Sequence, residues 1–102
     1  MTTYNMKGTT IKLSAIGGDF DVCASLFDGW PIRLNSIQWN PAADNNKLVI
    51  KDGSATGPDM YNLDSLSGQE KIQYYQGAYK EPFIDYSDCT LNATDIVIIN
   101  TM

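Results

Sequence analysis

The chain has 102 residues, with 7 Lys and Arg against 12 Asp and Glu, no histidine and two cysteines. That length fits one compact domain, and a hydrophobic content of 43% supports a folded chain. A net charge of −5 without a Lys/Arg cluster argues against nucleic acid and against an anionic membrane surface, because both are bound largely through cationic side chains.

Residues 1–10 are polar, with Tyr4 and Met6 as the sizeable apolar side chains. Both fall on one face of an extended segment, which fits an N-terminal arm that adds to the sheet edge of a neighbouring subunit or a frayed terminus. No apolar stretch follows the lone cation Lys7, so no secretory signal is expected there. Residues 11–102 then read as a single β-sandwich domain. Ile11, Leu13 and Ala15 alternate along one face, Gly17 and Gly18 supply a turn, and Phe20 and Val22 alternate again. The pattern predicts an antiparallel hairpin with Ile11, Leu13, Phe20 and Val22 on its apolar face.

Asp28-Gly29 marks the next turn, and Pro31 precedes a run from Ile32 to Trp39. Ile32 and Leu34 share one parity while Ile37 and Trp39 share the other, so a β-bulge near Asn35-Ser36 is needed to bring all four inward. Asn40 to Asn46 reads as a loop, Lys47 to Lys51 as a strand, and Asp52 to Pro58 as a second loop. Met60, Leu63 and Leu66 recur every three residues, which fits a helical turn or an irregular strand. Ile72 to Tyr75 has β propensity and ends near Gly77. Pro82-Phe83-Ile84 is expected to start an edge strand. Ile96 to Ile99, the longest uninterrupted apolar run, is far too short to cross a membrane. It is apolar at both parities, as suits a central strand or one that faces a partner. About seven short strands predict an all-β fold, an antiparallel sandwich or small jelly-roll-like barrel. Leu34, Ile37, Trp39, Leu48, Ile50, Ile96 and Ile98 are its expected inward residues.

Without histidine the chain lacks the side chain that titrates near neutrality, which removes Ser-His-Asp and Cys-His catalysis and the usual His-containing metal sites. An enzyme would need residues shared between subunits. Cys23 and Cys89 lie too far apart for a CxxC motif and read as small buried residues, or as a disulfide. Asp19, Asp21, Asp85 and Asp88 lack an EF-hand pattern and read as solvated turn carboxylates. Glu70 and Glu81 give no sign of the facing pair a glycosidase needs. Asn92-Ala93-Thr94 fits a glycosylation pattern short enough to occur by chance. No catalytic residue, metal or cofactor is expected. Tyr74, Tyr75, Tyr79 and Tyr86 are clustered and suit either an interface, since tyrosine offers area and a hydroxyl at small entropic cost, or ordinary sandwich packing. Trp30 and Trp39 read as core or loop anchors rather than as a sugar platform.

The succession Ile37-Gln38-Trp39, a polar loop, Leu48-Val49-Ile50-Lys51-Asp52-Gly53, then Pro82-Phe83-Ile84 and Ile96-Val97-Ile98-Ile99 resembles small β-sandwich virion proteins of tailed bacteriophages. The match spans roughly residues 30 to 102. The resemblance implies a capsid decoration, or cement, protein, made in the host cytoplasm and seated on the capsid surface. Such a protein is a homo-oligomer, often a trimer, with the major capsid protein as its partner and neither nucleic acid nor membrane bound. Candidate interface residues are Tyr4, Met6, Tyr74, Tyr75, Tyr79 and Tyr86, with Val97 and Ile99 on the two-faced last strand. The alternative is a carbohydrate- or receptor-binding module of a tail fibre or spike, for which clustered exposed aromatics would be the distinguishing feature.

Overall fold

Nested antiparallel pairing organises the chain in the computed structural model, which describes residues 2–65 and 69–102. The elements are β1 (Thr3–Lys7), β2 (Thr10–Ser14), β3 (Phe20–Asp21), α1 (Val22–Leu26), β4 (Ile32–Asn40), β5 (Lys47–Asp52), β6 (Asp59–Asp64), β7 (Lys71–Lys80), β8 (Pro82–Ile84), a 3₁₀ turn (Tyr86–Asp88) and β9 (Ile96–Thr101). β5 pairs with β6, β4 with β7, β3 with β8 and β2 with β9, all antiparallel. These are the rungs of one long hairpin rolled on itself. Two further contacts, β4 with β9 and β5 with β8, join the turns of the roll. The result is a five-stranded sheet in the order β1-β2-β9-β4-β7 facing a four-stranded sheet in the order β3-β8-β5-β6. This is jelly-roll topology, with nine strands among the described residues where about seven were expected.

The inner faces are built from the alternation visible in the sequence. Ile11, Leu13, Leu34, Ile37, Trp39, Leu48, Ile50 and Ile84 are fully buried. Burying each such side chain contributes about 1.5–3 kcal/mol. The phase change in β4 is resolved by the expected bulge. Leu34 faces Thr101 and Ser36 faces Asn100, so β4 carries one extra residue there against β9. The indole N–H of Trp39 is the one buried side-chain polar atom among the described residues without a partner. That costs about 1–3 kcal/mol, less than the roughly 5 kcal/mol from burying some 200 Å² of aromatic surface.

Several expectations are corrected. β2 and β3 are not a hairpin: β2 pairs with β1 and β9, and the chain crosses at Gly17-Gly18 to the other sheet. Val22 belongs to α1, a single helical turn capped by Asp21, whose Oδ1 accepts from the Ala24 N–H at 3.0 Å. β8 is not an edge strand. It lies between β3 and β5, and Pro82 is tolerated because it opens the strand. Residues 59–64 are strand, while Leu66 lies outside the described residues. β7 does not stop at Gly77 but runs on to Lys80.

In β9 the parity is the reverse of that expected: Val97 and Ile99 are fully buried, and Ile96 and Ile98 are half-buried on the outer face. The cause lies just upstream. Asp95 is fully buried, its Oδ1 accepting from the Ala42 N–H and its Oδ2 from Asn46 Nδ2 (2.9 Å) and the Asn92 N–H (3.3 Å). Asn46 Nδ2 also donates to Asn92 Oδ1, and the Asn46 N–H donates to Ser65 Oγ. Fixing Asp95 inward puts positions 97 and 99 inward too.

One side of the sandwich is closed by struts between β6 and β7. The Tyr75 hydroxyl and Gln73 Nε2 donate to the Met60 carbonyl, and the Tyr61 hydroxyl donates to the Lys71 carbonyl. The other side is held by a ring contact between Tyr4 on β1 and Phe20 on β3, centroids 5.5 Å apart.

Candidate docking surface

The outer face of the five-stranded sheet carries three of the exposed large apolar side chains, Ile72, Tyr74 and Tyr79. Register places Ile98, Gln38 and Ile72 in one row across β9, β4 and β7, and Asn100, Ser36 and Tyr74 in the next. Further along, Arg33 on β4 faces Tyr79 on β7. Tyr74 and Tyr79 are 68% and 70% exposed and Ile72 is 41% exposed, which makes these the large uncovered side chains of a strand anchored on its other face.

A second irregularity shapes this surface. Tyr74 faces Ser36 and Ala78 faces Leu34, so β7 takes four steps where β4 takes two. The slack is absorbed by Gln76 and Gly77, both in the left-handed region at φ 54° and 80°. Such conformations cost about 1–2 kcal/mol in a residue other than glycine, and they tend to mark sites where the chain aims side chains for a purpose. Here the bulge turns the Gly77 carbonyl to accept from Arg33 Nε at 3.2 Å, and the guanidinium lies 6.0 Å from the Tyr79 ring centroid. A Cβ at position 77 would stand 2.9 Å from Arg33 Nη2, and the exposed side chain of Met102 closes the other flank of that glycine. Beside the aromatic strip, Thr10 Oγ1 donates to Asn100 Oδ1 and Asn100 Nδ2 to Ser36 Oγ. This row of polar groups is therefore mutually satisfied.

The structure does not bring all the sequence-predicted interface residues together. Tyr74 and Tyr79 share the outer face. Tyr75, of the opposite parity to Tyr74, is the half-buried strut to Met60, and burial pushes its hydroxyl above the usual tyrosine range. Tyr86 packs against the core and donates its N–H to Asp19 Oδ1. Val97 and Ile99 are core, for the parity reason given above, and Ile96 and Ile98 take the outward places. Tyr4 and Met6 share a face as expected, since they pair with the buried Leu13 and Ile11, yet they stay 48% and 45% exposed at the rim of the inner face. Of residues 1–10, read as an arm for another subunit, Thr3–Lys7 form β1, which pairs with β2 of the same chain. An open cleft of about 250 Å³ lies beside β1, lined by Thr2, Tyr4, Gly17, Gly18, Asp19 and Phe20. Of the tryptophans, Trp39 is core and Trp30 is exposed on the loop before β4.

The remaining chemical candidates serve structure. Cys23 and Cys89 are free: Cys23 Sγ lies by the Lys80 carbonyl, whereas Cys89 bonds the backbone of Val49. Burial, with Asp21 and Glu81 adding to it, pushes the Cys23 thiol up to about 11. Asp85 and Asp88 are not merely solvated, because Lys51 Nζ lies 3.2 and 3.3 Å from them. The hydrogen bond from Ser87, reinforced by Lys51, holds the Asp85 carboxyl below its ordinary range. Glu70 accepts from Gln38, and Glu81 gives its N–H to Asp52. Asn92 of the glycosylation pattern spends its Oδ1 on Asn46.

No protein-family model, curated protein or solved structure matches the chain. Fold and surface together define a small antiparallel jelly-roll sandwich with an uncovered aromatic strip on its five-stranded sheet. The strip was only half legible in sequence: the tyrosine cluster was visible, but the two-residue bulge that sorts Tyr74 and Tyr79 from Tyr75 was signalled only by Gly77.

Proposed function

We propose that the chain is a non-enzymatic virion structural protein, a decoration protein that binds the outer surface of a tailed-phage head as a homo-oligomer and stabilises it against disruption. The observation that carries this reading is the strip of Ile72, Tyr74 and Tyr79 on the outer face of β7. A strand tied down by its sheet presents these side chains at little further ordering cost, and exposed tyrosines beside an arginine are the residue types that anchor protein interfaces. The partner proposed for this surface is the major capsid protein, in keeping with the resemblance of residues 30 to 102 to phage virion sandwiches. Co-sedimentation with heads of the encoding phage tests it. Binding should saturate and raise the temperature at which heads open, and the double variant Y74A/Y79A should bind at least tenfold more weakly. Failure of the parent chain to bind, or undiminished binding by the variant, overturns the proposal.

The second reading, a carbohydrate- or receptor-binding module of a fibre or spike, draws on the Arg33–Tyr79 pair and the amides of Gln38 and Asn100 nearby. It is the weaker of the two because the Thr10–Asn100–Ser36 row has already spent polar groups that a sugar would need. Selective retention on a glycan array, abolished by Y74A/Y79A, would reverse this ranking.

A further inference from the structure

Each sheet of an open sandwich has two edges, and an unprotected edge is a template for another chain. Three of the four edges here are blunted. β3 is two residues long. β6 follows Pro58, is broken by a register shift opposite Ile50 and Lys51, and begins and ends on aspartates. β7 is interrupted by the left-handed pair Gln76 and Gly77. β1 has none of these devices: Thr3 to Lys7 pair without a break against Ser14 to Thr10, and no described residue before Gly8 has a positive φ.

The direction of its free backbone groups follows from the neighbouring strands. The Thr9 carbonyl accepts from the Thr101 N–H, and the Ala15 N–H donates to the Ala93 carbonyl. Odd-numbered residues of β2 therefore turn their backbone groups towards β9, and Thr10, Lys12 and Ser14 turn theirs towards β1. Their partners Lys7, Asn5 and Thr3 are satisfied. Tyr4 and Met6 then point their N–H and C=O outward, along the edge.

We infer that β1 is the contact by which two copies of this chain pair, antiparallel about a two-fold axis at Asn5. In that register Tyr4 of one copy lies opposite Met6 of the other, so all four outward-facing backbone groups of each β1 find partners. The Tyr4 and Met6 side chains, each about half exposed on the rim of the inner face, meet across the seam as two aromatic–thioether pairs, a favourable combination. Lys7 falls opposite Thr3, which leaves the two lysines about 14 Å apart along the strand, beyond the screening length of roughly 8 Å at physiological salt. The self-complementary register closes the assembly at two copies and joins two five-stranded sheets into one. It deepens the homo-oligomeric part of the proposed function, and it stands apart from docking through Tyr74 and Tyr79.

The test uses the full chain. Light scattering from low micromolar to submillimolar concentration should show a dimer. The amides of Tyr4 and Met6 should become protected from hydrogen exchange as the dimer fills, while those of Asn5 and Lys7 are protected throughout. Met6→Pro removes one outward donor without touching a bond to β2, and an edge strand tolerates it. It should weaken dimerisation at least tenfold with an unchanged far-ultraviolet spectrum. A monomer over the whole range, a trimer, a dimer whose Tyr4 and Met6 amides exchange freely, or a Met6→Pro chain that still dimerises overturns the inference. Should Met6→Pro fail to fold, the exchange pattern of the parent chain decides. Loss of capsid docking in Y74A/Y79A with the dimer intact would separate the two surfaces.

Discussion

Replacing Asp95 by alanine removes the acceptor for three donors at once. Of these, the Asn46 amide is the most secluded, since Asn46 and Asp95 are both buried. One of its two hydrogens keeps Asn92 Oδ1 and the other is orphaned, at about 1–3 kcal/mol. The N–H groups of Ala42 and Asn92 belong to residues open to water, so each costs only the net value of a hydrogen bond, about 0.5–1.5 kcal/mol. Relief from burying a carboxylate offsets part of the sum, which leaves a loss of about 3 kcal/mol. For a domain of this size that lowers Tm by about 12–24 °C, a large share of a total stability near 5–15 kcal/mol. Asp95→Asn keeps the shape but turns one acceptor into a donor facing a donor, and should cost about 2 kcal/mol. Urea unfolding followed by circular dichroism measures both. A loss below about 1 kcal/mol in Asp95→Ala would refute the claim that this carboxylate holds the loop before β5 and sets the phase of β9.

Gly77→Ala should destabilise by about 1–2 kcal/mol, because φ of 80° is costly for alanine whereas the Arg33 guanidinium can swing aside; calorimetry reads this as a Tm lower by about 4–16 °C. Tyr75→Phe should cost only about 0.5–1.5 kcal/mol, since the Met60 carbonyl keeps Gln73 as a donor; thermal unfolding of the single variant checks it. With its thiol raised from 9.0 to about 11, Cys23 stays protonated in the folded chain where the unfolded chain has ionised. Stability therefore falls as pH rises from 9 to 11, by about 3 kcal/mol in all, and the fall should be shallower in Cys23→Ala when urea midpoints are compared across that range.

Where one face of a strand is apolar and the other polar, residue pattern and structure agree. Ile11 and Leu13 and the four inward residues of β4 were legible for that reason, and the bulge at Asn35-Ser36 was legible because the phase of those four changes midway. β9 has no polar face, so alternation could not tell its sides apart, and the deciding group was an aspartate whose burial depends on partners 49 and 53 positions away. The paired glycines at 17 and 18 look alike whether the chain turns back or crosses to a second sheet, because a turn does not encode the partner of the strand that follows. α1 was missed although it left a signal: Asp21 is a helix-capping residue, and Val22 and Leu26 stand four apart. At the candidate surface, the cluster of tyrosines was visible and its division between two faces was not.

β9 joins β2 to β4 in the five-stranded sheet, and its contact with β2 joins residues 90 positions apart, as in the bond from Thr10 to Asn100. Closing a loop of that length first would be slow. The nested order offers a route around this: once β5 and β6 meet, β4 and β7 are already near each other, and each rung shortens the loop for the next. On that route assembly proceeds as a zipper from the middle of the chain outward, with the β1–β2 pair a separate flap until β9 is in place. On the same route the edge offered by β1 is the last to acquire a rigid backing, so a chain caught midway holds the proposed seam on an unanchored ribbon, and folding comes before pairing.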